Sequence, residues 1–201
     1  MTGAVFLGGS FDPPHLGHLF CANAAAKSLG VDGVIFVPAG RQPLKECMAS
    51  PQQRLAMVKA MLEGTPHQVG TWELDRQGPS FTVDTLRQVR RLFKGRLVWL
   101  IGGDVLASLH RWKDLPGLME LADLVPFQRE GHSLELPHEA RSLLGPEGSQ
   151  AFLSRALCVP PRAESSSAIR NALAAGRHPE GLHPAVERLI REQGLYRSAL
   201  Q

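Results

Sequence analysis

One stretch near the start of the chain, Ala4 to Leu19 (AVFLGGSFDPPHLGHL), constrains the fold more than any other. It begins with an apolar run of strand-forming residues, Val5–Leu7, and two glycines then end the run as a buried parallel strand would end. Two prolines fix the backbone just before an alanine-rich segment that predicts a helix from about Leu16 to Leu29. A strand, a glycine turn and a helix in immediate succession are typical of an α/β fold.

The same stretch predicts an anion site, because free N–H groups and the positive end of the helix dipole meet where a glycine backbone allows close approach. His15 and His18 are three residues apart, so they lie on one face of the first helical turn and reach the same ligand. Two imidazoles there can donate hydrogen bonds to phosphate and neutralise charge that develops in phosphoryl or nucleotidyl transfer. Two other interpretations of His15 and His18 stay open: a structural turn with two solvent-facing histidines, and a metal-binding pair. The stretch matches neither the GxGxxG dinucleotide fingerprint nor the P-loop.

The composition predicts an ordinary globular protein. With 201 residues, of which 43% are hydrophobic and 20% charged, the chain is long enough for one well-buried domain and short for two. The net charge of +3 is mild, and the basic residues are scattered among acids instead of forming a stripe. This balance suits small anionic substrates, and we expect no nucleic-acid partner.

The cysteines and the hydropathy pattern predict a cytoplasmic protein. Cys21, Cys47 and Cys158 are far apart, odd in number and in no CxxC pair, so neither a disulfide framework nor a zinc knuckle is indicated. The sequence shows no charged-then-apolar leader and no apolar run near the roughly 20 residues of a membrane helix. We therefore expect reduced thiols and no membrane partner.

Short apolar runs alternate with helical patterns along the whole chain. The strands predicted after the first are Gly33–Val37, His67–Asp75, Arg96–Ile101, Leu121–Gln128 and Arg155–Val159. This alternation predicts a Rossmann-like, doubly wound and mainly parallel sheet with helices on both faces. Pro126 predicts that its strand lies near an edge of the sheet. No shift in composition divides the chain, so we expect residues 1–201 to form one domain, with a C-terminal helical part from about residue 165.

Three further segments carry candidate binding residues. Gly102-Gly103-Asp104 follows the strongest strand, where an aspartate can hold a ribose diol, although a helix N-cap is the plainer interpretation of Asp104. Ser165-Ser166-Ser167 and the nearby Arg170 form either a second anion site or a common helix cap. The loop 39–49, which contains Lys45, has the composition of a mobile basic lid or of an ordinary solvated loop.

The run GGSFDPPHLGH resembles the signature of the nucleotidyltransferase superfamily that carries an HxGH motif. Five further motifs, in family order, narrow the resemblance to the bacterial nicotinate-mononucleotide adenylyltransferases. They are PAGRQPLK at 38–45, GPSFTVDTL at 78–86, IGGD at 101–104, Trp112-Lys113, and ESSSAIR at 164–170. The similarity covers most of the chain.

The resemblance implies a role for each candidate residue. His15, His18 and Arg170 are the implied catalytic residues. ATP is expected to be bound by Gly8, Gly9, Ser10, Phe11, His15, His18, Gly102, Gly103, Asp104, Ser166, Ser167 and Arg170. Lys45, Thr85 and Trp112 are expected to bind the acceptor, with Thr85 and Trp112 at its pyridine ring. Without the resemblance, a lone tryptophan such as Trp112 is more often a core residue.

The implied reaction is attack of the 5′-phosphate of nicotinate mononucleotide on the α-phosphorus of ATP, which yields nicotinate adenine dinucleotide and pyrophosphate in NAD biosynthesis. Mg²⁺ is expected to accompany ATP, no protein residue is assigned as a metal ligand, and assembly into a homo-oligomer is left open.

The chain departs from the family pattern at Leu44, at Glu164 and at 129–131, all of which bear on the acceptor side more than on ATP. The alternatives are another HxGH adenylyltransferase, with nicotinamide mononucleotide or phosphopantetheine as acceptor, and a non-catalytic nucleotide-binding protein.

Overall fold

A computed structural model describes residues 3–129, 134–160 and 164–197 of the chain. Its strands are β1 (Ala4–Gly9), β2 (Ile35–Pro38), β3 (Gln68–Val69), β4 (Leu97–Ile101), β5 (Asp123–Arg129) and β6 (Leu157–Val159). They form a six-stranded sheet in the order β3-β2-β1-β4-β5-β6, and every neighbouring pair is parallel. The strand order changes direction between β1 and β4, which makes the ends of these strands the topological switch point. The predicted Rossmann-like, doubly wound fold is confirmed.

Helices cover both faces of this sheet. They are α1 (Leu16–Leu29), α2 (Pro51–Leu62), α3 (Thr82–Val89), α4 (Leu115–Leu121), α5 (His138–Ser154), α6 (Ser166–Ala174) and α7 (Pro184–Glu192), and a 3₁₀ segment, Gly103–Arg111, follows β4. Side chains alternate along β1, so Val5 and Leu7 pack with α1, α2, α6 and α7, while Ala4 and Phe6 pack with α3, α4 and α5. Burial on both faces explains why β1 and β4 are continuous apolar runs in the sequence.

Helix α1 has the predicted bounds, and α2 begins at Pro51, where a serine cap followed by proline predicts a helix start. Helix α1 spans Leu16 to Leu29, and Gly30 ends it in the left-handed region at φ 65, with its N–H donating to the carbonyl of Ala26. Ser50 caps α2: its hydroxyl accepts from the N–H of Gln53 at 3.2 Å, and Oε1 of Gln53 accepts from the N–H of Ser50 at 2.9 Å. This reciprocal pair is a capping box.

The third strand is much shorter than the predicted His67–Asp75. Only Gln68 and Val69 pair with β2, because the chain turns at Thr71, whose carbonyl accepts from the N–H groups of Leu74 and Asp75 at 2.8 and 3.0 Å. The turn carries Glu73 inward, and only 5% of Glu73 is exposed. The strand-like composition of this segment therefore reflects burial and not sheet pairing.

The expectation that the strand of Pro126 lies near an edge of the sheet is confirmed, because β5 is next to the edge strand β6. Strand β6 pairs only with residues 127–129, so Pro126 lies before the region that β6 covers. The segment after β4 is a 3₁₀ helix, and α4 was not predicted. The apolar pattern of residues 83–93 (VDTLRQVRRLF) predicts a helix, but α3 ends at Val89. The sequence also predicts a short helix near residues 139–144; α5 extends beyond it because a second segment follows the break at Gly145.

Within the described ranges, no helix combines the length and the apolar character that crossing a bilayer requires.

Candidate active site

A cavity of about 570 Å³ opens beyond the C-terminal ends of β1 and β4, and its size is that of a small-molecule site. Its lining includes most of the residues that the sequence singles out: Gly8, Gly9, Ser10, His15, His18, Lys45, Gly102, Gly103, Trp112, Ser166 and Ser167. Phe11, Thr85 and Arg170 lie behind this lining, and the side chain of Asp104 lies outside the described part of the structure. Both predicted anion sites thus face one crevice at the switch point.

The turn after β1, which we call the phosphate turn (residues 8–15), needs its glycine. A Cβ at Gly8 would lie 2.3 Å from Cζ2 of Trp99, so only bare backbone fits between the indole and the cavity. Phe11, which the resemblance assigns to ATP, is 1% exposed and packs edge-on against the imidazole of His18, with ring centroids 5.0 Å apart. Phe11 therefore supports His18 from behind.

The two imidazoles lie side by side at the N-terminus of α1. Their ring centroids are 3.8 Å apart, and the main-chain N–H of His15 donates to Nδ1 of His18 at 3.2 Å. Burial lowers the pKa of His18 well below its usual 6.5, and the neighbouring His15 and Lys45 act in the same direction. His18 is therefore neutral at pH 7 in the ligand-free protein.

Gly17 allows the two rings to approach. A Cβ at this position would lie 2.9 Å from Nδ1 and 3.1 Å from Cε1 of His15. The glycine of the HxGH motif is thus required by the position of the first imidazole.

The second predicted anion site lies at the N-terminus of α6. Ser165 caps the helix by accepting from the N–H of Ala168 at 3.1 Å, while Ser166 and Ser167 line the cavity. The hydroxyl of Ser166 donates to the carbonyl of Pro13 at 2.9 Å, and Arg170 donates to the carbonyl of Asp12 at 2.7 Å and to Oγ of Ser167 at 3.2 Å. These bonds join the second anion site to the phosphate turn.

The carboxylate of Asp12 anchors the phosphate turn, although the sequence analysis did not single it out. It is 1% exposed and accepts from the N–H groups of Met48 (2.7 Å) and Ala49 (3.1 Å) and from the hydroxyl of Tyr196 (2.6 Å). Burial and the bond to Asp12 raise the pKa of Tyr196, so the phenol remains a donor. The signal in the sequence was an aspartate directly before two prolines in a turn.

Trp112 lines the cavity. Its side chain is also partly buried against the core that Phe6 forms with α3, α4 and α5, so it is a core residue with a face accessible from the cavity. The next residue, Lys113, connects this segment to α3. Its ammonium lies 4.7 Å from the ring centroid of Phe81 and donates to Oδ2 of Asp84 at 2.9 Å.

Thr85 does not touch the cavity. It is completely buried; its N–H donates to the carbonyl of Phe81 at 3.2 Å and its hydroxyl donates to Oε1 of Glu73 at 2.9 Å. Ser80, Phe81 and Thr82 line the cavity in its place, together with Glu73. Burial raises the pKa of Glu73, and the bond from Thr85 opposes that rise.

A second buried residue that the sequence analysis missed is Arg54 of α2, which contacts the carbonyl of Ser10. Its spacing relative to the fully buried Val58 and Met61 indicates that Arg54 is buried too, because all three positions share one helix face.

Among the described residues, no group of three or more His, Cys, Asp or Glu side chains is arranged to hold a metal ion.

Comparison with known proteins gives a consistent result. Residues 6–172 match the family model described as cytidylyltransferase-like. A protein of Neisseria meningitidis named "Probable nicotinate-nucleotide adenylyltransferase" is 39% identical over 193 residues, which is 94% of this chain and 96% of that protein. A relative of the same name from Halalkalibacterium halodurans is 38% identical over 200 residues, 96% of this chain and 90% of that protein.

The fold has solved counterparts. A Plasmodium falciparum nicotinic acid mononucleotide adenylyltransferase complexed with NaAD superposes with a TM-score of 0.74, at 16% identity, over 98% of each chain. The same protein complexed with APC gives a TM-score of 0.70 over 98% of each chain. These two structures share the fold of the chain, and the matched family model and the sequence relatives show that the chain belongs to the nicotinate-nucleotide adenylyltransferases of the cytidylyltransferase-like family.

Proposed function

We propose that this chain transfers the adenylyl group of ATP to nicotinate mononucleotide. A 5′-phosphate oxygen of the mononucleotide forms a bond to the α-phosphorus, the bond from that phosphorus to the β-phosphate oxygen breaks, and pyrophosphate leaves with the electron pair. The products are nicotinate adenine dinucleotide and pyrophosphate. No protein nucleophile is required, so positioning and charge neutralisation accelerate the reaction.

The observation that carries this proposal is the convergence of two helix N-termini on one cavity. The paired imidazoles lie at the start of α1, and Ser166 and Ser167 lie at the start of α6. Both N-termini direct the positive end of a helix dipole to the same space. A triphosphate fits between them, with the bare backbone at Gly8 and Gly9 allowing its oxygens to approach.

Each residue at the phosphate end has a distinct task. The Nε2–H of His18 donates to a phosphate oxygen whose charge grows in the transition state, and His15 acts beside it. Ser166 and Ser167 hold the other phosphate oxygens. Arg170 contacts Ser167 in the ligand-free protein. A small rotation of its guanidinium allows it to donate two hydrogen bonds to the pyrophosphate, as a bidentate pair.

Magnesium fits this site as a companion of the substrate. The imidazole, hydroxyl and ammonium groups at the phosphate end suit phosphate oxygens, and Mg²⁺ in such sites is held largely by the substrate phosphates and water. When bound, the ion neutralises charge on the departing pyrophosphate. The residues of the chain hold the phosphates that carry it.

The acceptor ring belongs at Trp112 and the N-terminus of α3. An indole on the wall gives a stacking face, and Phe81 and Thr82 bring the first turn of α3 to the same place. The first N–H groups of a helix have no intrahelical partner, so they favour the carboxylate of a nicotinate ring. The bacterial relatives named above and the NaAD complex of the Plasmodium protein support this acceptor.

A coupled assay tests the proposal. The protein is mixed with Mg²⁺, ATP and, in separate reactions, nicotinate mononucleotide, nicotinamide mononucleotide or phosphopantetheine; pyrophosphate is measured and the second product is identified by mass spectrometry. We expect rapid turnover with nicotinate mononucleotide, and none with that acceptor in the His18→Ala variant beyond about 1% of wild type. Faster turnover with either other acceptor, or no turnover at all, overturns the assignment.

A further inference from the structure

Arg54 is a buried cation enclosed by the phosphate turn and by the loop 39–49, which we call the basic loop. Only 1% of it is exposed, although it carries a full charge. Nη1 donates to the carbonyl of Ser10 at 2.7 Å, Nη2 to that of Gly40 at 2.9 Å and Nε to that of Ala49 at 3.3 Å. Within the described part of the chain, no carboxylate pairs with it directly. Burying such a charge is unfavourable unless its donors are satisfied, so these carbonyls must stay directed at the guanidinium.

The three carbonyls belong to three different parts of the site. Ser10 lies in the phosphate turn, Gly40 follows β2 at the start of the basic loop, and Ala49 ends that loop. A planar guanidinium holds several carbonyls at once because its donors have fixed directions. One side chain therefore fixes both ends of the loop that carries Lys45 against the turn that leads to His15.

The phosphate turn needs this support. Phe11 has φ 50, in the left-handed region, where a bulky non-glycine residue is strained. Such a conformation persists only when surrounding contacts over-determine it. The bond from Arg54 to the carbonyl of Ser10, immediately before Phe11, is one of these contacts, and the carboxylate of Asp12 supplies the others from the following residue.

We infer that Arg54 is a positioning residue for adenylyl transfer: it sets the phosphate turn and both ends of the basic loop in the geometry that receives the triphosphate, without touching either substrate. The inference rests on the proposed function for its kinetic consequence. The charge of Arg54 lies directly behind Ser10, so it also adds to the positive potential at the phosphate end of the cavity.

The main test replaces Arg54 by methionine, which keeps much of the side-chain volume and removes all donors. We expect kcat to fall by about thirtyfold or more, as small displacements of reacting groups do. The KM for nicotinate mononucleotide, whose ring lies at Trp112, is expected to stay within about threefold. The matched control is Val58→Ala, one turn along α2 and equally buried; it lowers thermal stability but leaves kcat and KM of the folded protein unchanged.

Arg54→Lys keeps the charge but places a single ammonium where three carbonyls must be held, so we expect a loss in kcat of about tenfold. If the methionine variant does not fold, the kcat of Arg54→Lys tests the positioning role. Wild-type kcat in Arg54→Lys, or a folded Arg54→Met whose kcat falls no further than that of Val58→Ala, overturns the inference.

Calorimetric titration with Mg²⁺ and ATP separates this inference from the proposed function. We expect ATP to bind Arg54→Lys at least about tenfold more weakly than wild type, because the turn and the loop that hold its phosphates are displaced. Equal affinity contradicts the positioning role. A wild-type protein that binds ATP but releases no pyrophosphate with nicotinate mononucleotide contradicts the proposed function alone.

Discussion

The main-chain N–H of His15 donates to Nδ1 of His18 at 3.2 Å, so the neutral ring of His18 carries its proton on Nε2. Burial keeps the ring neutral by lowering the pKa of His18. Nε2 of His18 is consequently an N–H donor even without a positive charge. The backbone of the HxGH motif thus selects a tautomer that is able to donate a hydrogen bond to phosphate.

Two amide replacements test this tautomer. The amide nitrogen of glutamine reaches about as far as Nε2 of histidine, and that of asparagine only as far as Nδ1. We expect His18→Ala and His18→Asn to lower kcat at least about a hundredfold, and His18→Gln to recover about tenfold of that loss. Steady-state kinetics on folded variants measure this. Equal activity of the glutamine and asparagine variants contradicts the assigned tautomer.

Gly17→Ala is expected to separate stability from catalysis. Alanine favours a helix over glycine by roughly 1 kcal/mol, so the melting temperature should not fall much. The new Cβ would meet Nδ1 of His15 at 2.9 Å and displace that ring. We expect kcat to drop by about tenfold or more. Gly30→Ala is unsuitable as a control because Gly30 has φ 65, whereas Ala24→Gly, on the same helix, should lower stability and leave kcat alone.

The histidines give stability a specific dependence on pH. Burial lowers the folded-state pKa values of His18 and His67 below 6.5. Above 6.5 both states hold these rings neutral and their contribution is fully present; as pH falls below 6.5, the unfolded chain binds protons first, and the folded protein loses stability. Urea unfolding at several pH values from 6.5 to about 5 should show this loss. A smaller loss is expected in His18→Gln, and an identical slope contradicts the burial of a neutral ring.

The acceptor wall predicts preference for the acid over the amide. Phe81 and Thr82, at the N-terminus of α3, line the cavity. The N–H of Thr85 is already bonded within the helix. We expect kcat/KM for nicotinate mononucleotide to exceed that for nicotinamide mononucleotide by about ten- to a thousandfold. Equal efficiency at saturating ATP indicates a dual-specificity enzyme.

Trp112→Ala is expected to raise KM for both mononucleotides and to leave KM for ATP nearly unchanged, since the indole lines the part of the cavity proposed for the acceptor ring and not the helix N-termini proposed for the triphosphate. Loss of a stacked aromatic is worth about 1–3 kcal/mol, or roughly five- to a hundredfold in KM. Initial-rate measurements with each substrate varied in turn provide the test. A rise confined to ATP contradicts this placement.

The parts of the fold that the sequence predicts are those with strong local signals. Helix α1 has its predicted bounds because Gly30 stops it, and α2 begins at Pro51, directly after the capping serine. The strand of Pro126 lies near the edge of the sheet, as its proline predicts, but a proline shows only that one N–H is missing. Which positions of β5 are covered on the outer side depends on where β6 begins, and this is a tertiary property.

The part of the site that the sequence predicts is the part with a local motif. The glycines, His15 and His18 are visible because residues typical of a phosphate site stand close together in the sequence. The sequence did not predict roles for Asp12, Arg54 and Glu73. Their hydrogen-bond partners are distant in sequence or are main-chain carbonyls, so no pattern of side chains indicates them. Thr85 was assigned to the acceptor, and the structure places it one layer further in, beneath Glu73.

The bond between Tyr196 and Asp12 spans 184 positions of the chain. The first βα connection of the sheet therefore owes its shape to a side chain that follows α7, and not to its own segment alone. Separation of the segment after α7 from the sheet would leave the buried carboxylate of Asp12 with its two main-chain donors only, so the turn would loosen even where the strands stay paired.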